Sequence, residues 1–207
     1  MRAHTWPSLL IATTNPGKIR EIMNALDGLP TRLLTLDDVV SIEAPDETGR
    51  TFAANALIKA RAYAYAAGLP TVAEDSGLVI DALGGRPGVE SARYPGDTYP
   101  DKFANLYREL DGQAPPWTAR FVCSLAFVDP SRALDSGRLQ AQFTAEGTVE
   151  GEIAEAPRGT RGFGYDPIFF YPPFGATLGD VGGARKLSVS HRGQAFLAFR
   201  RWLETDD

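Results

Sequence analysis

A single cysteine, Cys123, in a chain of 207 residues rules out an internal disulfide and suits a reducing cytoplasm. It lies in the strand-like run "RFVCSLAFV", where a small buried core residue is expected. Histidine is nearly as scarce. His4 and His191 are the only two, so no Cys–His cluster exists, which argues against a zinc site. His4 falls in a start expected to fray and is given no role. No apolar run is long enough to span a membrane, and the opening "MRAHTWPSLLIATTNP" reads as no signal peptide. There is no excess of positive charge. The formal net charge is -5, which argues against a nucleic acid polymer as partner, since such proteins carry a basic stripe. A small anion held by a few placed cations stays possible. Repeats and low-complexity tracts are absent, and the acidic "ETDD" end reads as a solvated tail.

What is present is a globular composition, 43% hydrophobic and 23% charged, enough for one domain over residues 1–207 with one core and two lobes. Strand signals recur at 8–12, 31–36, 70–74, 77–83, 118–128 and 139–153. The last alternates Ala141, Phe143 and Ala145 against Gln140, Gln142 and Thr144. Helix signals fall at 16–27, 51–67, 100–110 and 191–204. Strands and helices alternate early and longer strands cluster late, which predicts an α/β fold with a mixed rather than purely parallel sheet. Two long Gly/Pro loops, "GGRPGVESARYPGDTYP" and "YPPFGATLGDVGGARK", are of the length that is often functional in compact domains.

The stretch "IATTNPGKIREI" resembles half of a phosphate-binding loop. In G-x-x-x-x-G-K-[ST], Gly17 and Lys18 fit the middle, but Ala12 stands at the first glycine and Ile19 replaces the metal-binding hydroxyl. It is therefore no ordinary kinase or GTPase loop. Asn15 is a good N-cap, Pro16 suits the first helical position, and Ile19, Ile22, Met23 and Leu26 define one helix face. A strand followed by a helix N-terminus offers amides and the positive dipole end, with Lys18 alongside. Taken alone, the same stretch reads as a capped turn with a solvated lysine.

Other residues carry chemistry. "AEDSGL" places Glu74 and Asp75 at a predicted strand end before a Ser-Gly turn, where carboxylates can hold Mg²⁺ or activate water. An Asx-type turn explains the same residues equally well. "DETGRTFAANALIKARAYA" supplies Glu47, an N-cap at Thr51, and Asn55 and Lys59 on one helix face, a spacing that also suits a solvated surface. "GFGYDPIF" packs aromatics, glycines and Asp166 into a short turn. "SHRGQAF" puts His191 and Arg192 at the mouth of the last helix.

Together these motifs, "ATTNPGKIREI", "ETGRTFAANALIKARAYA", "AEDSGLVIDALGGRPGVESARY", "PRGTRGFGYDPIF" and "KLSVSHRGQAF", resemble the inosine triphosphate pyrophosphatase family in its own order, over nearly the whole chain. The resemblance implies an elongated α/β fold, with two lobes around a nucleotide cleft, and a homodimer. It implies Mg²⁺-dependent hydrolysis of the non-standard purine nucleoside triphosphates ITP, dITP and XTP to monophosphate and pyrophosphate. Thr13, Thr14, Asn15, Pro16, Gly17 and Lys18 would then lie along the triphosphate, with Lys18 also assisting catalysis. Glu47 and Asp75 match metal-binding acids, and Asp75 the proton acceptor. Ser76 matches a substrate contact and Lys59 a phosphate contact. Phe163, Gly164, Tyr165, Asp166, Lys186, His191 and Arg192 match nucleoside-binding positions.

The chain departs from the family at Ala54, where Glu would complete a capping box, a loss of about 1 kcal/mol. It departs again at Gly183, Ala184 and Arg185, where acids are usual before the lysine. Two rival readings stand beside this one. A Maf-like nucleotide pyrophosphatase is disfavoured by the "SHRGQA" helix opening. A non-catalytic nucleotide-binding module is disfavoured by Glu47 and the Glu74–Asp75 pair, which a plain triphosphate binder does not need.

Overall fold

A computed structural model describes residues 6–39, 41–133 and 139–205. His4 and the last two residues of the acidic tail lie outside them. The chain is α/β. Its strands are β1 (Ser8–Ile11), β2 (Arg32–Thr35), β3 (Thr71–Ile80), β4 (Trp117–Val128), β5 (Phe143–Ile153), β6 (Phe169–Tyr171) and β7 (Ala176–Thr177). The helices are α1 (Pro16–Ala25), α2 (Phe52–Ala67), α3 (Tyr99–Leu110), α4 (Gly183–Leu187) and α5 (His191–Glu204). The sheet has the order β2-β1-β3-β4-β5-β6-β7. It is mixed, as the sequence predicts: β1 runs parallel to β2 and β3, whereas β6 is antiparallel to β5 and β7.

The chain divides into two compact units. The first comprises the residues up to Asp75, Cys123–Gly147 and those from Arg192 onward. Its parallel strands are joined by α1 and α2, each a crossover of the kind parallel pairing requires. α2 packs through Ala56, Ala60 and Ala64, all fully buried at i, i+4 and i+8. This flat alanine face lets the helix lie close to Leu10, Ala12, Ala73 and Ala126. Thr51 caps it, accepting from the Ala54 amide at 3.1 Å, and Gly68 ends it at φ 64°. With alanine at position 54, only this half of the capping box exists. Phe127, Phe143, Phe199 and Trp202 pack ring on ring elsewhere in the unit.

The second unit comprises Ser76–Val122 and Thr148–His191. α3 turns Phe103, Leu106 and Leu110 into a core shared with Leu78, Ile80, Phe121, Val149 and Phe169. Its start is fixed by a complete capping box between Thr98 and Asp101.

Two sequence-based expectations change. The segments 70–74 and 77–83 merge into one strand, β3, with no turn at Ser76-Gly77; the strand ends at Ile80, and Asp81–Leu83 form a 3-10 turn instead. All but two of its ten residues are buried, and β1 and β4 flank it, so ladder bonding and burial override the local turn propensity. The predicted strand at 139–153 is regular only from Phe143, in the expected phase: Val149 and Ile153 are buried, Thr144, Glu146 and Glu150 exposed.

Candidate active site

In the first unit β1 pairs with β3 only through Leu10–Thr71 and Ile11–Val72, then turns into α1. Glu74 and Asp75 therefore lie on β3 just past the carboxyl end of β1, the place where open α/β sheets hold ligands. The expectation that they end a strand is corrected: the neighbouring strand ends, and theirs continues.

α1 begins as the sequence predicts. Asn15 Oδ1 accepts from the amides of Gly17 at 2.9 Å and Lys18 at 3.1 Å, and Pro16 opens the helix. The expectation of free amides at this N-terminus changes accordingly, because Asn15 takes up two of them. Thr13 Oγ1 accepts from the Asn15 amide at 3.2 Å, and Thr14 is exposed. Lys18 reaches back to the strand, its Nζ 2.8 Å from Glu74 Oε1.

Glu74 is the centre of a buried ion network. Arg192, the second residue of α5, brings Nη2 to within 3.6 Å of Glu74 Oε1, while its Nη1 donates to Glu21 Oε2 at 2.7 Å. The Cys123 thiol donates to Glu74 Oε2 at 3.5 Å. Burial alone would raise the Glu74 carboxyl, but the Lys18, Arg192 and Lys59 charges outweigh it and hold the group well below the carboxylate range. Burial, with Glu74 adding to it, pushes the Cys123 thiol well up, which leaves it an unreactive core residue.

Next to this network lies a second cluster. Lys59, one turn beyond Asn55 on α2, places Nζ 2.6 Å from Glu47 Oε1 and 3.5 Å from Asp75 Oδ1. Burial opposes the Lys59 charge, but Asp75, Glu74 and Glu47 raise its affinity for the proton. Asp75 Oδ2 accepts from Asn55 Nδ2 at 3.1 Å. Burial raises the Asp75 carboxyl, against the opposing pull of Lys59 and Asn55. That makes it a stronger base than an ordinary aspartate. Across the two clusters four carboxylates, Glu21, Glu47, Glu74 and Asp75, meet three cations, Lys18, Lys59 and Arg192.

Two carboxylates converging on one ammonium fit a divalent cation. Among the described residues no group of three or more His, Cys, Asp or Glu is placed to hold a metal ion. Two carboxylates suffice for Mg²⁺, which keeps several waters and shares its remaining positions with phosphates.

In the second unit the turn Phe163–Asp166 is held by Asp166. Its Oδ2 accepts from the Phe163 amide at 2.7 Å and from Lys186 Nζ at 2.5 Å. The pair is dry, with side chains 4% and 3% exposed. Lys186 Nζ also sits 4.8 Å from the centre of the Phe163 ring. Gly162, at φ 75°, is required: a Cβ there would stand 2.1 Å from Asp166 Oδ2. Gly164 also has positive φ. The Tyr165 side chain belongs to the core, its hydroxyl donating to the Ser91 carbonyl at 2.8 Å, so only its backbone is left for a ligand. Ser76 follows Asp75 on β3 and is half-buried.

His191 and Arg192 do not stand at an open helix mouth. Both are buried, His191 stacked on Phe121 at 4.9 Å and Arg192 in the Glu21–Glu74 network. Gly183, Ala184 and Arg185 open α4, and the Arg185 guanidinium lies over the Phe174 ring at 4.0 Å. Two residues, one in each cluster, carry no role in the sequence reading. Glu21 is three residues after Lys18 on α1, and Asn55 is four before Lys59 on α2. Helical spacing to a candidate lysine is the signal that finds both.

The fold and this arrangement define an α/β protein with a carboxylate–lysine cluster at a strand-to-helix junction. The Ham1 family model matches residues 9–202, and the chain belongs to that family. It is 45% identical over 190 residues to a dITP/XTP pyrophosphatase of Geobacter sulfurreducens, covering 90% of this chain and 92% of that protein. It is 46% identical over 195 residues to a dITP/XTP pyrophosphatase of Thermus thermophilus, covering 92% and 88% respectively. A HAM1 protein from Coxiella burnetii superposes with a TM-score of 0.84 at 35% identity, over 96% of this chain and 98% of that one.

Proposed function

We propose that this protein hydrolyses non-standard purine nucleoside triphosphates, dITP, XTP and ITP, to the monophosphate and pyrophosphate, and so cleanses the nucleotide pool. The observation that carries the reading is the cluster Glu47–Lys59–Asp75 beside Lys18, in a Ham1 chain. Water attacks the α-phosphorus, the bond to the bridging oxygen breaks, and pyrophosphate leaves with that oxygen. Asp75 accepts the water proton, a task its raised proton affinity suits. Lys18 and Lys59 face the charge that builds on the phosphoryl oxygens and the leaving group. Mg²⁺, held by Glu47 and Asp75, would supply further neutralisation of the phosphates. Thr13, Thr14, Asn15, Pro16 and Gly17 line the triphosphate. In the second unit Phe163, Gly164, Asp166 and Lys186 take the nucleoside, with Ser76, Tyr165 and His191 of that unit, and Arg192 of the first, as further substrate contacts.

The protein works as a cytoplasmic homodimer on a free nucleotide. The family resemblance carries the homodimer, and the single free thiol suits a reducing compartment. The test is pyrophosphate release from dITP, XTP, ITP and ATP, with Mg²⁺ and with a chelator. Rapid release from the first three with Mg²⁺ alone is expected. Equal rates on ATP, or undiminished rates in chelator, would sink the reading.

A further inference from the structure

We propose that Asn55 is the positioning residue of this site: its one amide fixes the orientation of Asp75 and ties it to the loop that carries Glu47. The inference rests on the pyrophosphatase reading above.

Asn55 is completely buried in the first turn of α2, among alanines. Asparagine there costs helix stability relative to alanine, because its side chain competes for the backbone. Here both ends of the amide are used. Oδ1 accepts from the Gly49 amide at 2.8 Å, and Nδ2 donates to Asp75 Oδ2 at 3.1 Å. The partners leave one orientation only. The Gly49 N–H needs an acceptor and the Asp75 carboxylate needs a donor, so a flipped amide would lose both bonds. The Gly49 loop is built for this contact. A Cβ at Gly49 would lie 2.5 Å from Asn55 Oδ1 and 2.8 Å from Ala54 Cβ, so only glycine brings the backbone this close.

The geometry divides the work of Asp75 between its two oxygens. Oδ2 is engaged by Asn55, and Oδ1 is the one that faces the Lys59 ammonium at 3.5 Å. Asn55 and Lys59 are i and i+4, so a single face of α2 grips both oxygens. Through Gly49 the same amide fixes the chain two residues after Glu47, whose Oε1 meets Lys59 at 2.6 Å. Asn55 thus sets which oxygen of Asp75 turns to the reacting water and how near Glu47 stands to it. It touches no substrate and acts through Asp75.

Asn55→Asp separates the two halves of the bridge. It retains an acceptor for Gly49 and puts an oxygen where Asp75 needs a donor. Asn55→Ser is smaller and neutral and shortens the reach to both. The measurements are kcat for dITP, binding of the non-hydrolysable α,β-methylene analogue of dITP, and the melting temperature, on the full chain. Loss of such an orienting partner is typically worth about 10–100-fold. Both variants are expected to lose that much kcat while analogue affinity stays within about threefold. A merely structural role would instead lower melting temperature and analogue affinity together with kcat. A folded Asn55→Asp that keeps wild-type kcat overturns the proposal, as does a loss that tracks analogue binding. Should Asn55→Asp fail to fold, Asn55→Ser decides by the same criteria. A wild-type protein that releases no pyrophosphate overturns the pyrophosphatase reading, and this one falls with it.

Discussion

Each unit keeps a buried lysine beside a carboxylate, and the two arrangements differ in kind. Lys186 and Asp166 form a dry pair, and Asp166 also accepts from the Phe163 amide. Lys59 is shared between two carboxylates, at side-chain exposures of 13%, 22% and 8% for Lys59, Glu47 and Asp75. A dry pair of this kind fixes a shape, here the turn that presents Phe163. A shared one leaves negative charge over and has room to exchange partners, which a charged substrate and its metal require. Burial of an ion pair by itself thus says little about function. The ratio of charges and the access to water say more.

The sharpest break of this comparison is Asp75→Asn, which keeps shape and removes charge at the open cluster. Turnover of dITP should fall at least about 100-fold while nucleotide binding survives, as for loss of a positioned general base. Retention of more than a tenth of wild-type kcat would take that role from Asp75.

Stability should show the opposite ranking. Lys186→Met takes the Lys186 cation from buried Asp166 and should cost about 3 kcal/mol in denaturant unfolding. Lys59→Met should cost less than that, because Asp75 keeps its bond from Asn55. Equal costs would mean that the two clusters are not different in kind.

Glu74 gives a pH test. Its carboxyl is depressed below its ordinary 4.5 in the folded protein. Its contribution is therefore complete above pH 4.5 and lost as pH falls through the lower folded value, a slope of about 1.4 kcal/mol per pH unit in that window. Glu74→Gln should flatten the acid limb of melting temperature against pH, at lower stability near neutrality. An unchanged acid limb would remove Glu74 as its source.

The smallest expected effect is on binding. Lys18→Ala should weaken dITP binding about tenfold more than dIMP binding, the scale of one hydrogen bond to a charged group. Equal losses for both nucleotides would place Lys18 away from the β- and γ-phosphates.

Sequence by itself determined the elements whose signals are local. Asn15, Thr51 and Thr98 cap where their neighbours require, Gly68 closes α2, and the alternation along β5 has the right phase. A cap or an alternating strand is written within a few residues, so it is legible without the fold. The motifs also sufficed for the family, because several in order carry more information than any one of them. Only the tertiary structure decided how β3 runs and what the side chains face. The Ser76-Gly77 turn gave way to a central strand because two flanking strands and burial outweigh a dipeptide preference. Arg192 turned inward because Glu74, 118 residues before it, and Glu21, 171 residues before it, offer anions in a dry site. Asn55 looked like surface beside Lys59 until the chain brought Gly49 and Asp75 to opposite ends of its amide. Hydrogen bonds between residues distant in sequence leave no local pattern, and a buried polar group takes its meaning from the partners that folding supplies.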